Sequence, residues 1–316
     1  MSRERIHTLN MSRREWLELR RTSIGGSDVA TILGFNKYQS PYQLWLDKTG
    51  QIDINASDPS EAAYWGNVFE ETVAQEFTLR TDKKVRMDNF MYFHREYPFL
   101  SANVDRQVVG ENAILECKTA SVYLADRWEG ESIPEQYIFQ VQHYMNVLDK
   151  EYAYIAVLIG GQKFVWKRIE RDQELINLIE EQLIQFWNVH VLQNIAPEID
   201  GSEATTAFMK ERYASSEAGK ELLLGRAEDE LIANLAEQKE VKKIIETNIN
   251  QIENQLKDKL GQADAELAIT PSNIISWKPV ISNRIDSKRL KAEQPDIYEQ
   301  YCNESVSRRF TIKEIK

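Results

Sequence analysis

The chain is short of cysteine, short of positive charge and without any long apolar run, and each shortage closes off a class of function. Only Cys117 and Cys302 occur in 316 residues. Two thiols so far apart give no disulfide framework, which fits a reducing compartment. They also cannot supply the four thiolates of an iron–sulfur cluster. No stretch of eighteen apolar residues is present and the first residues carry no signal-peptide pattern. A soluble, cytoplasmic protein with no membrane partner is therefore expected. The formal net charge is −11, and non-specific nucleic-acid coating draws its affinity from cationic neutralisation of phosphates. A generic DNA coater is argued against. The distribution is less hostile: residues 1–21 hold six Arg against three Glu, and residues 271–316 hold nine Lys and Arg against six acids. A DNA path lined by the termini, with an acidic outside, is compatible with a ring or channel. Hydrophobic content of 42% is ample for a core, and the length fits one large or two modest domains.

The most informative stretch runs from Asn103-Val104-Asp105 to Glu116-Cys117-Lys118. Val104–Val109 and Ala113–Lys118 read as strands, with turn chemistry at Gly110-Glu111-Asn112 between them. Side chains alternate faces, so Ile114, Glu116 and Lys118 point one way while Leu115 and Cys117 point the other. Asp105 can approach Glu116 and Lys118 across the hairpin. Two carboxylates facing one point are hard-oxygen ligands suited to magnesium or manganese, and a lysine beside them can polarise the attacking water. Alone, an acid and a lysine two apart on a strand are more often a solvated face.

Two helices accompany the hairpin. Asp58-Pro59-Ser60-Glu61 reads as a helix start, with Asp at the cap and Pro at the first helical position. Ala62, Trp65, Phe69, Val73 and Phe77 then recur at helical spacing as a core-facing stripe. Glu70 follows Phe69. Gly66 weakens this helix by about 1 kcal/mol relative to Ala, which implies a close approach to its backbone. Downstream, Ile138, Val141, Met145 and Leu148 form a second stripe, with Gln136, Gln140, His143 and Tyr144 on the other faces. Near the N-terminus, Arg20 precedes Ile24-Gly25-Gly26-Ser27-Asp28. This reads as a loop opening a helix with Ser27 or Asp28 as cap. Backbone amides, a hydroxyl and an arginine together make a phosphate seat.

Taken in order, Arg20 with Ile24-Gly-Gly-Ser27-Asp28, Trp65-Gly66-x3-Glu70, Asp105, Glu116-Cys117-Lys118 and Gln140-Val141-Gln142-x-Tyr144 resemble the YqaJ-type viral recombinases. These phage and prophage alkaline exonucleases are related to lambda exonuclease, within the PD-(D/E)xK nuclease superfamily. The resemblance spans about residues 12–190. It implies an α/β fold, a central mixed sheet flanked by helices. It implies Glu70, Asp105 and Glu116 as metal ligands, completed by the main-chain carbonyl of Cys117, for magnesium or manganese, as two ions. Lys118 would position the nucleophilic water, Gln140 and Gln142 would line the cleft, and Arg20 and Ser27 would hold a 5′-phosphate. The superfamily's proline is absent before Asp105, where Asn103 and Val104 stand. The implied activity is resection of the 5′ strand from double-stranded DNA ends, leaving a 3′ tail for a RecT-type annealing protein. The implied assembly is a ring-shaped homotrimer in the bacterial host cytoplasm. Phosphodiester hydrolysis needs an in-line water, neutralised oxygens and a stabilised leaving group, which two metals about 3.5–4 Å apart can supply. A structure-specific or restriction-like endonuclease on the same site, or a DNA-end-binding scaffold with a vestigial site, are the alternatives.

The core sheet is expected to continue through Tyr152–Ile159 and Phe164–Ile169 across Gly160-Gly161. A helix over 172–192 follows, its apolar side Leu175, Leu178, Ile179, Leu183, Phe186 and Trp187. Ala196-Pro197 to Gly201-Ser202 reads as a linker, placing a nuclease core at 1–200 and a C-terminal α+β extension at 201–316. Residues 217–260 read as a long charged helix or helical hairpin. Ile245, Ile249, Ile252 and Leu256 have coiled-coil spacing; packing of that seam against its own domain is expected, with a partner or subunit contact as the alternative. The tail reads as strand (from Ile274), helix (from Arg284) and strand (Ser307–Ile312).

Overall fold

Alternation along two long strands decides the layering of this protein. The computed structural model describes residues 4–54, 60–304 and 307–313. The chain divides into two compact units after Arg212. The first opens with β1 (Arg5–His7), α1 (Arg13–Arg21), α2 (Gly26–Ile32), α3 (Pro41–Lys48) and α4 (Glu61–Thr81). There follow β2 (Val85–Met87), β3 (Phe90–Phe93), β4 (Ser101–Ala102), β5 (Arg106–Val108) and β6 (Ala113–Ala120). A short 3-10 segment leads to α5 (Glu135–Leu148), β7 (Tyr152–Ile159), β8 (Lys163–Glu170), α6 (Gln173–Gln185) and α7 (Glu203–Arg212). The chain beyond α6 winds on as a π-helix over Phe186–Leu192.

The central sheet has the order β2-β5-β6-β7-β8. Only β6 and β7 run parallel, with Glu116 in register with Ile155 and Lys118 with Val157. A parallel pair needs a crossover, and α5 supplies it. Ile114, Ala153, Ile155 and Val157 pack with Val141 and Met145 of α5 on one face. Ala113, Leu115, Cys117, Tyr154 and Ala156 pack with Val73, Ala74 and Phe77 of α4 on the other. Both strands are covered on both faces, which is why they read as near-continuous apolar runs. This is the mixed α/β layout expected. The β5–β6 hairpin pairs Arg106 with Leu115 and Gln107 with Ile114, and Gly110 takes the left-handed conformation at its turn (φ 82°).

Several local expectations are corrected. The side chain of Ser60 caps α4, accepting from the Ala63 amide at 3.2 Å; Asp58 and Pro59 lie outside the described residues. Only Val73, Ala74 and Phe77 of α4 are buried, while Ala62 is exposed and Trp65 is 48% exposed. Helical spacing tells which residues share a face, not how far a neighbour reaches along it. On α5 the expected polar faces are covered: Gln140, His143 and Tyr144 are all buried, because α2, α6 and β4 surround the helix as well as the sheet. Gly25, not Ser27 or Asp28, caps α2, and the Asp28 carboxylate reaches back to the Gly25 amide at 3.0 Å. Gly26 is needed for packing: a Cβ there would stand 2.4 Å from Cε1 of Tyr144. On α6, Ile176, Ile179 and Leu183 form the buried face, and Leu178 is exposed.

His143 gives the fold a pH dependence. Its Nε2 donates to the Ser101 carbonyl at 2.9 Å, and burial holds the imidazole down at a pKa of about 4, against roughly 6.5 in an unfolded chain. As pH falls the unfolded chain takes up this proton first. Stability is therefore lost between about pH 6.5 and 4 and the loss levels off below, on the order of 3 kcal/mol in all. Urea midpoints measured across this interval should fall more steeply for the parent chain than for His143→Gln. Parallel curves for the two would remove His143 as the cause.

The second unit holds α8 (Arg226–Gln262), the antiparallel pair β9 (Leu267–Ile269) and β10 (Ile274–Ser276), α9 (Ser287–Glu293) and α10 (Pro295–Gln300). The expected packing of the Ile245–Leu256 seam against its own domain is not found: all four residues are exposed. The expected final strand is also absent among the described residues of 307–313. A strand requires a paired edge, and here the Arg308 side chain bonds the Tyr213 carbonyl at 3.1 Å instead. No helix among the described residues is long and apolar enough to cross a membrane.

Candidate active site

Strand β6 carries Glu116 and Lys118 on the face toward α5, as alternation requires. Lys118 Nζ lies 2.7 Å from Glu116 Oε1. Gln140, projecting from α5, donates its Nε2 to the same oxygen at 2.7 Å and lies 3.0 Å from the Tyr144 hydroxyl. Glu116 Oε2 is buried with no hydrogen-bond partner. Asp105 sits at the entry to β5, and its Oδ2 accepts the Cys117 amide at 2.7 Å. The hairpin thus brings Asp105, Glu116 and Lys118 together, as the sequence spacing predicts.

Electrostatics show what this cluster is short of. Burial, and then Glu116, push the Asp105 carboxyl well above the usual range. Burial likewise raises Glu116. At Lys118 burial works to strip the proton, but Glu116 and Asp105 outweigh it and hold the ammonium above the usual lysine range. The Tyr137 ring lies 5.3 Å from that ammonium. Two buried acids share one cation, so a further positive charge would stabilise both.

Glu70 approaches from α4 and is held by a residue that sequence reasoning missed. The Arg106 guanidinium, almost fully buried, pairs through Nη1 with Glu70 Oε1 and through Nη2 with Glu71 Oε2 at 2.8 Å. Nη1 also donates to the Asp105 carbonyl at 2.8 Å. The signal was there, an arginine directly after the presumed ligand, but its target lies on another element. As the side chains stand, no three His, Cys, Asp or Glu among the described residues converge on one ion. The donor chemistry nevertheless fits a hard divalent cation. Glu116 offers an orphaned oxygen, and Asp105, close enough to feel its charge, is a second hard-oxygen donor.

Gln142 is placed elsewhere. Its Nε2 donates to the Glu170 carbonyl at 2.7 Å and its Oε1 accepts from the Asp172 amide at 3.0 Å. Both ends are used to tie α5 to the β8–α6 junction, two residues round the helix from the cleft-facing Gln140. The Cys117 side chain lies in the α4 face of the core, where burial pushes its thiol up. Only its main chain is turned to the site.

Arg20 and Ser27 come together at the start of α2, with Arg20 Nη2 2.6 Å from Ser27 Oγ. They line a cavity of about 360 Å³ with Arg13, Arg21 and Lys48. Beneath it, buried Lys48 bonds Asp28 Oδ2 at 2.7 Å and the Arg20 and Ser23 carbonyls at 2.9 and 2.7 Å. Burial would raise Asp28, but Lys48 and Arg20 outweigh it and keep the carboxylate below its usual range. Contact of Gly26 with Gln140 and Tyr144 joins this seat to the carboxylate cluster.

The YqaJ-like viral recombinase domain matches residues 15–151. The YqaJ protein of Bacillus subtilis (strain 168) is 51% identical over 307 residues, covering 96% of this chain and 95% of that one. Protein D345L of African swine fever virus (strain Badajoz 1971 Vero-adapted) is 35% identical over 74 residues, 23% of this chain and 21% of its own. Among solved structures, the alkaline exonuclease LHK-Exo of Laribacter hongkongensis, in complex with dAMP, has 19% identity and a TM-score of 0.48. It covers 63% of this chain and 97% of its own. A phage-related exonuclease of Haemophilus somnus has 16% identity and a TM-score of 0.43, over 57% of this chain and 100% of its own.

Proposed function

This chain belongs to the YqaJ-like viral recombinase family, and from that premise we propose that it is a metal-dependent exonuclease acting on double-stranded DNA ends. The observation that carries this reading is the orphaned Glu116 oxygen buried beside the Lys118 ammonium and Asp105. That set is short of a cation and supplied with a hydrogen-bond donor.

Glu70, Asp105, Glu116 and the Cys117 carbonyl would hold the metal, two magnesium or manganese ions. Bound there, such ions neutralise phosphate oxygens and lower the pKa of water. Lys118, kept protonated, donates to the attacking water and cannot serve as its base. Gln140 holds Glu116 in one rotamer by occupying Oε1, so that Oε2 stays free. Arg106 aims Glu70 at the site by taking its other oxygen. Gln142 acts one step back, by fixing α5. The 5′ strand would be resected and the 3′ tail passed to a RecT-type annealing protein, with the enzyme working as a ring-shaped homotrimer in the host cytoplasm. Linear, nicked and closed-circular duplex should be compared in magnesium and in chelator. Digestion of linear duplex alone, blocked by chelator, is expected. Cutting of closed circles would instead establish an endonuclease.

The Arg20–Ser27 seat predicts a preference among ends. A charge-assisted bond to a terminal phosphate contributes about 1.5–3 kcal/mol. Arg20→Ala should slow digestion of 5′-phosphorylated duplex by roughly tenfold to a hundredfold and leave the 5′-hydroxyl rate nearly unchanged. Equal slowing on both substrates would assign Arg20 to general backbone contact or to its own fold.

A further inference from the structure

Helix α8 has 37 residues and is therefore about 55 Å long. Its unit buries very little: from Tyr213 on, Leu260 is the only buried hydrophobic residue among those described. Helices of this kind draw most of their stability from tertiary packing of an apolar face. Here that face is bare, with Ile245, Ile249 and Ile252 about half exposed and Leu256 39% exposed. Contiguous apolar surface of this sort marks an interaction site.

The spacing says what kind. From Leu256 the four-three repeat runs back through Ile252, Ile249 and Ile245 to Lys242, Gln238, Leu235 and Leu231 without a break. Eight consecutive core positions on a 3.5-residue period are the seam of a left-handed coiled coil, in which helices of like sequence pair in register. The step of four from 245 to 249 and of three from 249 to 252 assigns Ile245 and Ile252 to d, and Ile249 and Leu256 to a. Isoleucine at both a and d, and leucine at a with isoleucine at d, shift parallel coils from two strands to three or more. Lys242 and Gln238 form polar layers, the device that restricts register at a cost in stability.

The flanking positions choose the orientation. Glu246 and Glu253 fall at e, and the g positions Asn234, Val241, Asn248 and Gln255 are uncharged. In a parallel coil g meets e of the next helix, so the Asn248 amide lies beside Glu253 of another copy. In an antiparallel coil that keeps the isoleucine layers facing, Glu246 would meet Glu253, a like-charge contact.

We propose that α8 is a self-association helix, three copies of this chain joining through a parallel coiled coil centred on Ile245–Leu256. The proposal stands apart from the nuclease chemistry, which uses no residue of α8. It supplies a device for the three-copy state where the exonuclease reading only names the state.

Sedimentation equilibrium of the full chain tests it. The parent should sediment at three times its 36.8 kDa. The doubly substituted Ile249→Asp/Ile252→Asp chain should sediment as a single copy at the same concentration, since both side chains are exposed and the substitutions leave each unit's own packing intact. A parent of one or two copies would overturn the proposal. So would a three-copy mass that survives the double substitution, which would place the contact elsewhere. A single-copy parent whose melting temperature falls on substitution would show that the seam is covered by its own chain. A separate readout reports orientation: Ile252→Cys should form an intermolecular disulfide under mild oxidant, because identical d positions adjoin only in a parallel coil. Absence of that cross-link in a three-copy protein would overturn the parallel arrangement. Nuclease activity of the double variant on a short duplex separates this outcome from failure of the catalytic reading.

Discussion

Asp105→Asn and Glu116→Gln should each abolish DNA hydrolysis while leaving the fold and DNA binding in place. The amides are the informative substitutions. Asp105 accepts the Cys117 amide, and alanine there would strand a buried N–H at a cost of about 1–3 kcal/mol. Asparagine keeps an acceptor and removes only the charge. Glutamine at 116 similarly keeps an oxygen for Lys118 and Gln140. Each change also removes a buried charge, since burial raises both carboxyls, with Glu116 adding to the rise at Asp105 and Glu70 to that at Glu116, so the metal-free variants should melt no lower than the parent. The catalytic loss should reach three orders of magnitude or more, because ligand-held cations supply several kcal/mol of charge stabilisation and each 1.36 kcal/mol is tenfold in rate. The measurement is single-turnover digestion of linear duplex alongside thermal melting. A variant that melts normally and still cuts at near-parent rate would refute the metal-ligand assignment.

Lys118→Met should lower the chemical step by about 10²–10³, the loss seen when one aligned donor is removed from a developing charge. Metal affinity should hold or rise. The ammonium is the cation that now partners Glu116 and Asp105, and its removal leaves two acids with a greater demand for positive charge. Calorimetric titration with manganese and single-turnover rates in the same buffer distinguish the two effects. If affinity fell in step with the rate, Lys118 would be a structural partner of Glu116 and not the group that acts on water.

These three substitutions concern residues that were legible in the chain, and the reason is local. Side chains two apart on a strand share a face whatever lies around them. Asp105, Glu116 and Lys118 were therefore placed by a turn at Gly110 and by alternation alone. The long strands β6 and β7 and the existence of α4, α5 and α6 were legible on similar grounds. Partner choice was not. Arg106 follows Asp105 in sequence, yet its guanidinium finds Glu70 and Glu71 on α4, thirty-five or so residues away. Gln140 and Gln142 read as a pair, but 200° of helix separates them. One meets Glu116 and the other ties down Asp172.

Burial divides the same way. Periodicity along α4 identified one stripe, and only its second half meets the sheet. Periodicity along α5 left polar faces that α2 and α6 then covered. Gly26 looked like part of a phosphate loop and proves to be where α2 lies against Tyr144. The sequence by itself determined the hairpin, the shared face of Glu116 and Lys118, and the heptad of α8, because each is set by backbone geometry over a few residues. Tertiary structure alone decided which acid Arg106 holds, which glutamine reaches the site and which apolar stripes are covered. Those depend on the neighbour that fills the space, and neighbours are chosen by packing between segments far apart in the chain.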